Sequence, residues 1–264
     1  MMSIVIYLLL GSFAGLIAGL FGVGGGLIIV PALVFAFALQ GVSAEVLTHL
    51  AVGTSLATIM ITSLSSVKTH HEKGAVDWVV FIRMAPGILL GAWLGAQFAH
   101  HLSGQTLQLA IGIFVIIVAI QMGLSLRPNP SRELPSAPLL FASGGAIGWV
   151  SAIFGIGGGS ISVPFFSWCN VQMQRAVATS SACGLPIALS GATSSMVQGW
   201  GEQGLPAYST GYIYWPAFVG IVLTSTIFAR QGAKLAHRLE PEKLKKVFAL
   251  FLLLIGSQFI LRNI

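Results

Sequence analysis

Two glycine runs give this chain its most chemically useful backbone. Phe21-Gly-Val-Gly-Gly-Gly26 ends on Gly24, Gly25 and Gly26, and Phe154-Gly-Ile-Gly-Gly-Gly159 ends on Gly157, Gly158 and Gly159. Consecutive glycines destabilise a helix, so each run leaves backbone N–H groups uncovered. An apolar stretch begins just after each run, at Leu27 and at Ser160. A helix starting there presents free N–H groups and a partial positive charge, which suits an anion. Pro31 and Pro164 fix the backbone near those starts. Hydroxyls add to the set: Thr54 and Ser55 early in the chain, and Thr179, Ser180 and Ser181 later. Such hydroxyls also bond back to their own helix carbonyls, so both roles stay open for them. Ser160 and Ser162 stand where the first run is followed by Leu27 and Ile29, so the second run carries more polar contacts. These glycines and hydroxyls form the candidate substrate-binding set. No Asp or Glu lies in the middle of an apolar segment. Cation carriers normally need carboxylates there, whereas N–H groups and hydroxyls serve a small anion.

Other ionisable residues are fewer. His49 is a candidate for proton coupling, because an unperturbed imidazole titrates near pH 6.5 and intramembrane ionisable groups are usually functional. An interfacial histidine is the alternative. Arg175 reads as an anchor at the inner interface. His70 and His71, like His100 and His101, read as loop residues, one pair on each side, which argues against a single metal site. No Ser/His, paired-Asp or His-Glu-x-x-His set falls at membrane depth, so no catalytic residue, metal or cofactor is expected. The glycine runs lack the βαβ unit of a dinucleotide fingerprint. Gly11, Gly15, Gly144 and Gly148 are at four-residue spacing, as in close helix packing.

The elements that must position these groups are membrane helices. The chain is 55% hydrophobic and 8% charged, against about 25% charged in a soluble domain. No charged residue precedes Glu45, and none occurs between Arg83 and Arg127, Glu133 and Arg175, or Glu202 and Arg230. Each gap accommodates one or two crossings of about 20 residues. The net charge of +6 comes from basic residues between apolar segments. It sets orientation rather than binding nucleic acid. Met1 to Leu10 lack a basic n-region and a cleavage pattern, so the amino terminus reads as membrane-embedded rather than as a signal peptide. Cys169 and Cys183 read as buried apolar residues.

The chain repeats itself. Besides the glycine runs, Ala51-Val-Gly-Thr-Ser55 matches Ala176-Val-Ala-Thr-Ser180, and Gly95-Ala-Gln-Phe-Ala-His-His-Leu102 matches Gly232-Ala-Lys-Leu-Ala-His-Arg-Leu239. Residues 1–127 form a first transmembrane repeat, 128–138 a polar, proline-containing cytoplasmic linker, and 139–264 a second repeat. Each repeat has five apolar segments, beginning at Ser3, Leu27, Val46, Trp78 and Thr106, then at Leu139, Ser160, Ala176, Gly211 and Leu244. The second segments, Leu27–Gln40 and Ser160–Asn170, reach only about 17–21 Å at 1.5 Å per residue, against a core of about 30 Å. Each therefore pairs with the segment before it in a glycine-interrupted hairpin. Basic residues follow the third segment in the first repeat but the fourth in the second. Positive residues favour the cytoplasm, so the repeats have inverted topology. This places 12 of the 13 Lys and Arg inside, all but Arg262. Both termini are then periplasmic, in an inner-membrane protein, and Trp200, Tyr208, Tyr212, Tyr214 and Trp215 form an outer aromatic belt. The fold class is all-α integral membrane.

The Gly19–Pro31 stretch, its copy from Phe154 to Pro164, the Ala51–Ser55 block and Gly211-Tyr-Ile-Tyr-Trp-Pro216 resemble the TauE/SafE sulfite exporter family. The likeness covers nearly the whole chain. It implies a secondary transporter that exports sulfite or an organosulfonate, with transport tied to the proton gradient. The residues themselves imply only an anion. Uptake of another anion or sulfur compound is the alternative, and a non-transporting membrane scaffold would need larger loops than these. Association into a homo-oligomer stays open.

Overall fold

The computed structural model describes residues 2–21, 25–124, 133–236 and 241–263. Gly24 and linker residues 128–132 lie outside the described residues. Among those described, the chain is all-α apart from one two-residue β pairing. The helices are α1 Met2–Phe21, α2 Gly26–Leu39, α3 Ala44–Glu72, α4 Trp78–His101, α5 Gly104–Gly123, α6 Ala137–Ile153, α7 Gly159–Trp168, α8 Met173–Gln198, α9 Trp215–Ala236 and α10 Pro241–Asn263. Among the described residues, five stretches are long and apolar enough to cross a membrane: α3, α4, α5, α8 and residues Lys246–Asn263 of α10. Large apolar side chains such as Leu90, Ile117, Leu223 and Leu254 point outward. An apolar exterior of that kind fits lipid, not water. At 14 and 10 residues, α2 and α7 are about 21 and 15 Å long and cannot cross alone.

Local chemistry sets several boundaries. The Asp77 carboxylate accepts from Val80 N at 3.1 Å and starts α4. The Ser103 hydroxyl accepts from Thr106 N at 3.1 Å and starts α5. α1 and α2 form an antiparallel pair, with Tyr7 Oη donating to Gln40 Oε1 at 2.8 Å.

Small residues decide how the helices pair. On α4, Gly87, Gly91 and Gly95 lie against Phe141, Gly145 and Trp149 of α6, so these two helices run parallel. On α1, Gly11 and Gly15 lie against Ile221 and Ser225 of α9, also parallel. Carbonyls of the neighbouring helix occupy the places where β-carbons would be, which is why these positions hold glycine. α3 and α8 cross antiparallel at the centre: Gly53 meets Ser195, Leu56 meets Gly191 and Ser63 meets Gly184. α5 and α10 are antiparallel as well, with Gly112 beside Phe259 and Gly123 beside Ala249.

Three sequence expectations change here. α9 begins at Trp215 rather than Gly211, because Ser209–Thr210 pairs with Ile213–Tyr214 as an antiparallel β ribbon. Its turn places Gly211 at φ +54°, tight against Met196. The ribbon also divides the expected aromatic belt. Trp200, Tyr208 and Trp215 are exposed, but Tyr212 is buried and Tyr214 packs inward on Phe37 and Tyr7. Finally, His70, His71, His100 and His101 lie on the last turns of α3 and α4, not in loops, and His71 accepts from Trp78 Nε1.

Candidate functional site

The second glycine turn sits at the centre of the helix crossing. Gly155 (φ +66°) and Gly158 (φ +74°) take a backbone conformation open mainly to glycine. The turn is pinned from both sides. Ser55 Oγ on α3 donates to the Gly155 carbonyl at 2.8 Å, and Ile156 N donates to Ser151 O at 2.9 Å. From α8, Gly184 approaches so closely that a β-carbon there would stand 3.1 Å from the Gly157 carbonyl.

The two hairpins meet at this point. A β-carbon on Gly26 would lie 2.7 Å from both Gly155 O and Ile156 Cα. Gly25 caps α2, its carbonyl accepting from Ile28 N and Ile29 N. The tip of the first turn, Gly24 included, lies outside the described residues.

Donors converge on the second turn. The N–H groups of Gly157 and Gly158 meet no acceptor among the described residues. Gly159 and Ser160 open α7, where N–H groups have no intrahelical partner. The hydroxyls of Ser151, Ser160, Ser162 and Ser180 are buried without a hydrogen-bond partner among the described residues. Ser151 and Ser162 are 0% exposed, and both hydroxyls lie 3.4–3.5 Å from where Gly158 would carry a β-carbon. A buried hydroxyl left unmade costs about 1–3 kcal/mol, so this cluster is under-satisfied as it stands. Such donors suit an oxyanion.

The remaining candidates are placed differently. Thr54 Oγ1 accepts from Tyr214 N at 3.0 Å, and Thr179 Oγ1 accepts from Asp77 N at 3.0 Å. These equivalent threonines tie the central helices to the segments that lead into α9 and α4. Ser181 donates to its own helix, to Val177 O at 2.9 Å. His49 is buried near one end of α3, its ring nitrogens 3.2 Å from Glu45 O and 3.0 Å from Ala99 O, and it stacks on Tyr212. Tyr212 Oη in turn lies 3.0 Å from His100 Nδ1. Burial, with Glu202 adding to it, pushes the Tyr212 hydroxyl up to about 12, so it stays a neutral phenol at neutral pH.

The sequence reading missed Ser151. Its signal was available: in the register that aligns the two glycine runs, Ser151 falls opposite Ala18, the same polar-for-apolar asymmetry as Ser160 and Ser162.

Comparison with known proteins places the chain in a family. Residues 7–259 match the family described as sulfite exporter TauE/SafE. The chain belongs to the TauE/SafE family. A relative from Haemophilus influenzae, named "Probable membrane transporter protein", is 38% identical over 98% of each chain. The Bacillus subtilis "Probable membrane transporter protein YunE" is 26% identical over 100% of this chain and 99% of its own. A Methanocaldococcus jannaschii "Probable membrane transporter protein MJ0441" is 27% identical over 94% of this chain and 92% of its own. No solved structure matches the chain. Family, relatives and apolar helices agree on a multi-pass membrane transporter, so the donor cluster of this TauE/SafE protein lies in the centre of a transport fold.

Proposed function

We propose that the protein is a secondary carrier that exports a small sulfur oxyanion, sulfite or an organosulfonate, by alternating access between two inverted halves. The observation that carries this reading is the cluster of unpartnered donors at Gly158: two free N–H groups and the Ser151 and Ser162 hydroxyls. An oxyanion offers each of them an acceptor. Thr54, Ser55, Thr179, Ser180 and Ser181 stand around that centre as struts or further donors. Gly158 and the Ser151 and Ser162 hydroxyls are buried, so the halves must part on one side at a time to admit the anion. Sulfite as the substrate follows from membership of the sulfite exporter TauE/SafE family.

Helix directions support the inversion. If α3 points one way, α4 returns and α5 points with α3; parallel α1/α9 and α4/α6 and antiparallel α3/α8 and α5/α10 then give α6, α8, α9 and α10 directions opposite to α1, α3, α4 and α5. Inverted repeats that meet at broken helices near the midplane are a recurring carrier layout. With the cytoplasm at the far end of α3, Lys68, Lys73, Arg175 and Lys246 lie inside. Both termini are then periplasmic in an inner-membrane protein. Reporter fusions at Glu202 and Lys243 are expected to report opposite sides; the same side for both would end the inverted reading.

His49 is the proposed coupling residue. A neutral ring donates to one of its two carbonyl neighbours and a protonated ring to both. A proton arriving there engages both carbonyls at once, Glu45 on α3 and Ala99 on α4. Proteoliposome flux tests the whole reading. Sulfite or small sulfonates are expected to move and to compete with each other, and His49→Gln is expected to remove the dependence on an imposed pH gradient. If neither anion moves nor competes, the substrate assignment is wrong.

A further inference from the structure

A second site lies away from the glycine turns, in a cavity of about 240 Å³ between α1, α2, α5 and α10. Its walls are apolar along most of their length, formed by residues such as Phe13, Phe35 and Phe251, and Phe13 and Phe35 are exposed, so the cavity opens on the outer, apolar surface. One end is different. Gln108, Gln258 and Arg262 gather there, and no acidic residue lines the cavity. Antiparallel packing of α5 and α10 places these three within about one and a half turns of one level. Gln108 is buried at this polar end. From Phe251 to Arg262 the cavity follows 12 residues of α10, about 17 Å of helix.

We propose that this cavity holds one anionic phospholipid, with an acyl chain in the apolar trough and its phosphate at Arg262, Gln258 and Gln108. An apolar-walled space gives water no partners, and an unfilled one forfeits dispersion contacts. In a bilayer the available filler is hydrocarbon. The polar end selects the headgroup: a guanidinium binds phosphate through paired N–H groups, and the two amides supply further donors. The charge sign fits an anionic lipid and gives a zwitterionic one less. Since α2 carries Gly26 at the hairpin contact and also lines this cavity through Pro31 and Phe35, the lipid holds the outer side of the hairpin that the central site depends on.

Native mass spectrometry from nanodiscs of equal phosphatidylglycerol and phosphatidylcholine tests this. The wild-type protein is expected to retain phosphatidylglycerol preferentially. Arg262→Gln is expected to lower that preference about fivefold, the worth of one basic residue near a charged lipid surface. Ala32→Phe, which fills the trough without touching its charge, is expected to remove the retained lipid. Equal retention of the two lipids by the wild-type protein, or unchanged retention in both variants, would overturn the proposal.

Discussion

Replacing Gly26 with valine is expected to abolish anion flux while the protein still inserts in the membrane. A β-carbon at Gly26 would lie 2.7 Å from the Gly155 carbonyl oxygen and 2.7 Å from Ile156 Cα. Both obstacles are backbone, so no side chain can swing aside. Ser55 and the Ser151 carbonyl hold the turn against retreat. Overpacking of this kind costs about 1–3 kcal/mol. If the hairpins part to relieve it, the donors at Gly158 move out of register, and the same energy is worth roughly 5- to 150-fold in the anion's binding constant. Gly145→Ala is the matched control, because the nearest atom to its β-carbon, Gly87 O, would be 3.6 Å away. Flux into proteoliposomes, measured beside gel filtration in detergent, separates lost transport from lost fold. Wild-type flux in Gly26→Val would sink the role of the hairpin contact.

The second large effect has two opposite signs. Combining Ser151→Ala with Ser162→Ala is expected to raise the melting temperature and to remove transport. Both hydroxyls are buried with no partner, so deleting them relieves about 1–3 kcal/mol each in the empty protein. For a chain of this size each kcal/mol is worth about 2–4 °C. A hydrogen bond to a charged ligand contributes about 1.5–3 kcal/mol, so losing one is expected to weaken anion binding by at least about tenfold. Thermal unfolding in detergent and flux in proteoliposomes are both needed. If the hydroxyls instead serve the fold, the double variant melts lower and still transports.

Much of the fold was legible because membranes impose simple rules. The charge gap from Arg83 to Arg127 holds most of α4 and all of α5, and the shortness of Leu27–Gln40 and Ser160–Asn170 marked the hairpin arms, since arms that short cannot cross. Ser209–Tyr214 was not legible. Its pairing depends on a glycine turn wedged against Met196 on α8, which no local propensity encodes. The inward turn of Tyr212 and Tyr214 follows from that same contact, and so does the error of placing them in an interfacial belt.

The candidate site divides along similar lines. Ser55, Ser160 and Ser162 were chosen from spacing and repeat asymmetry, and all three lie at the second glycine turn. Thr54 and Thr179 were chosen on the same grounds, yet each accepts a bond from a backbone N–H, of Tyr214 in the β ribbon and of Asp77 before α4. Helix position alone does not say which neighbour a hydroxyl meets across the bundle.

By itself, then, the sequence determined that this chain is a helical membrane protein with two glycine-broken hairpins and no central carboxylate. Those features follow from the cost of burying charge in hydrocarbon and of placing consecutive glycines in a helix. Only the tertiary structure decided that Gly26 of one hairpin packs on Gly155 of the other, and that Ser151 joins Ser162 over Gly158. Those contacts arise between helices far apart in the chain, where the closeness of two backbones depends on glycines on both sides at once.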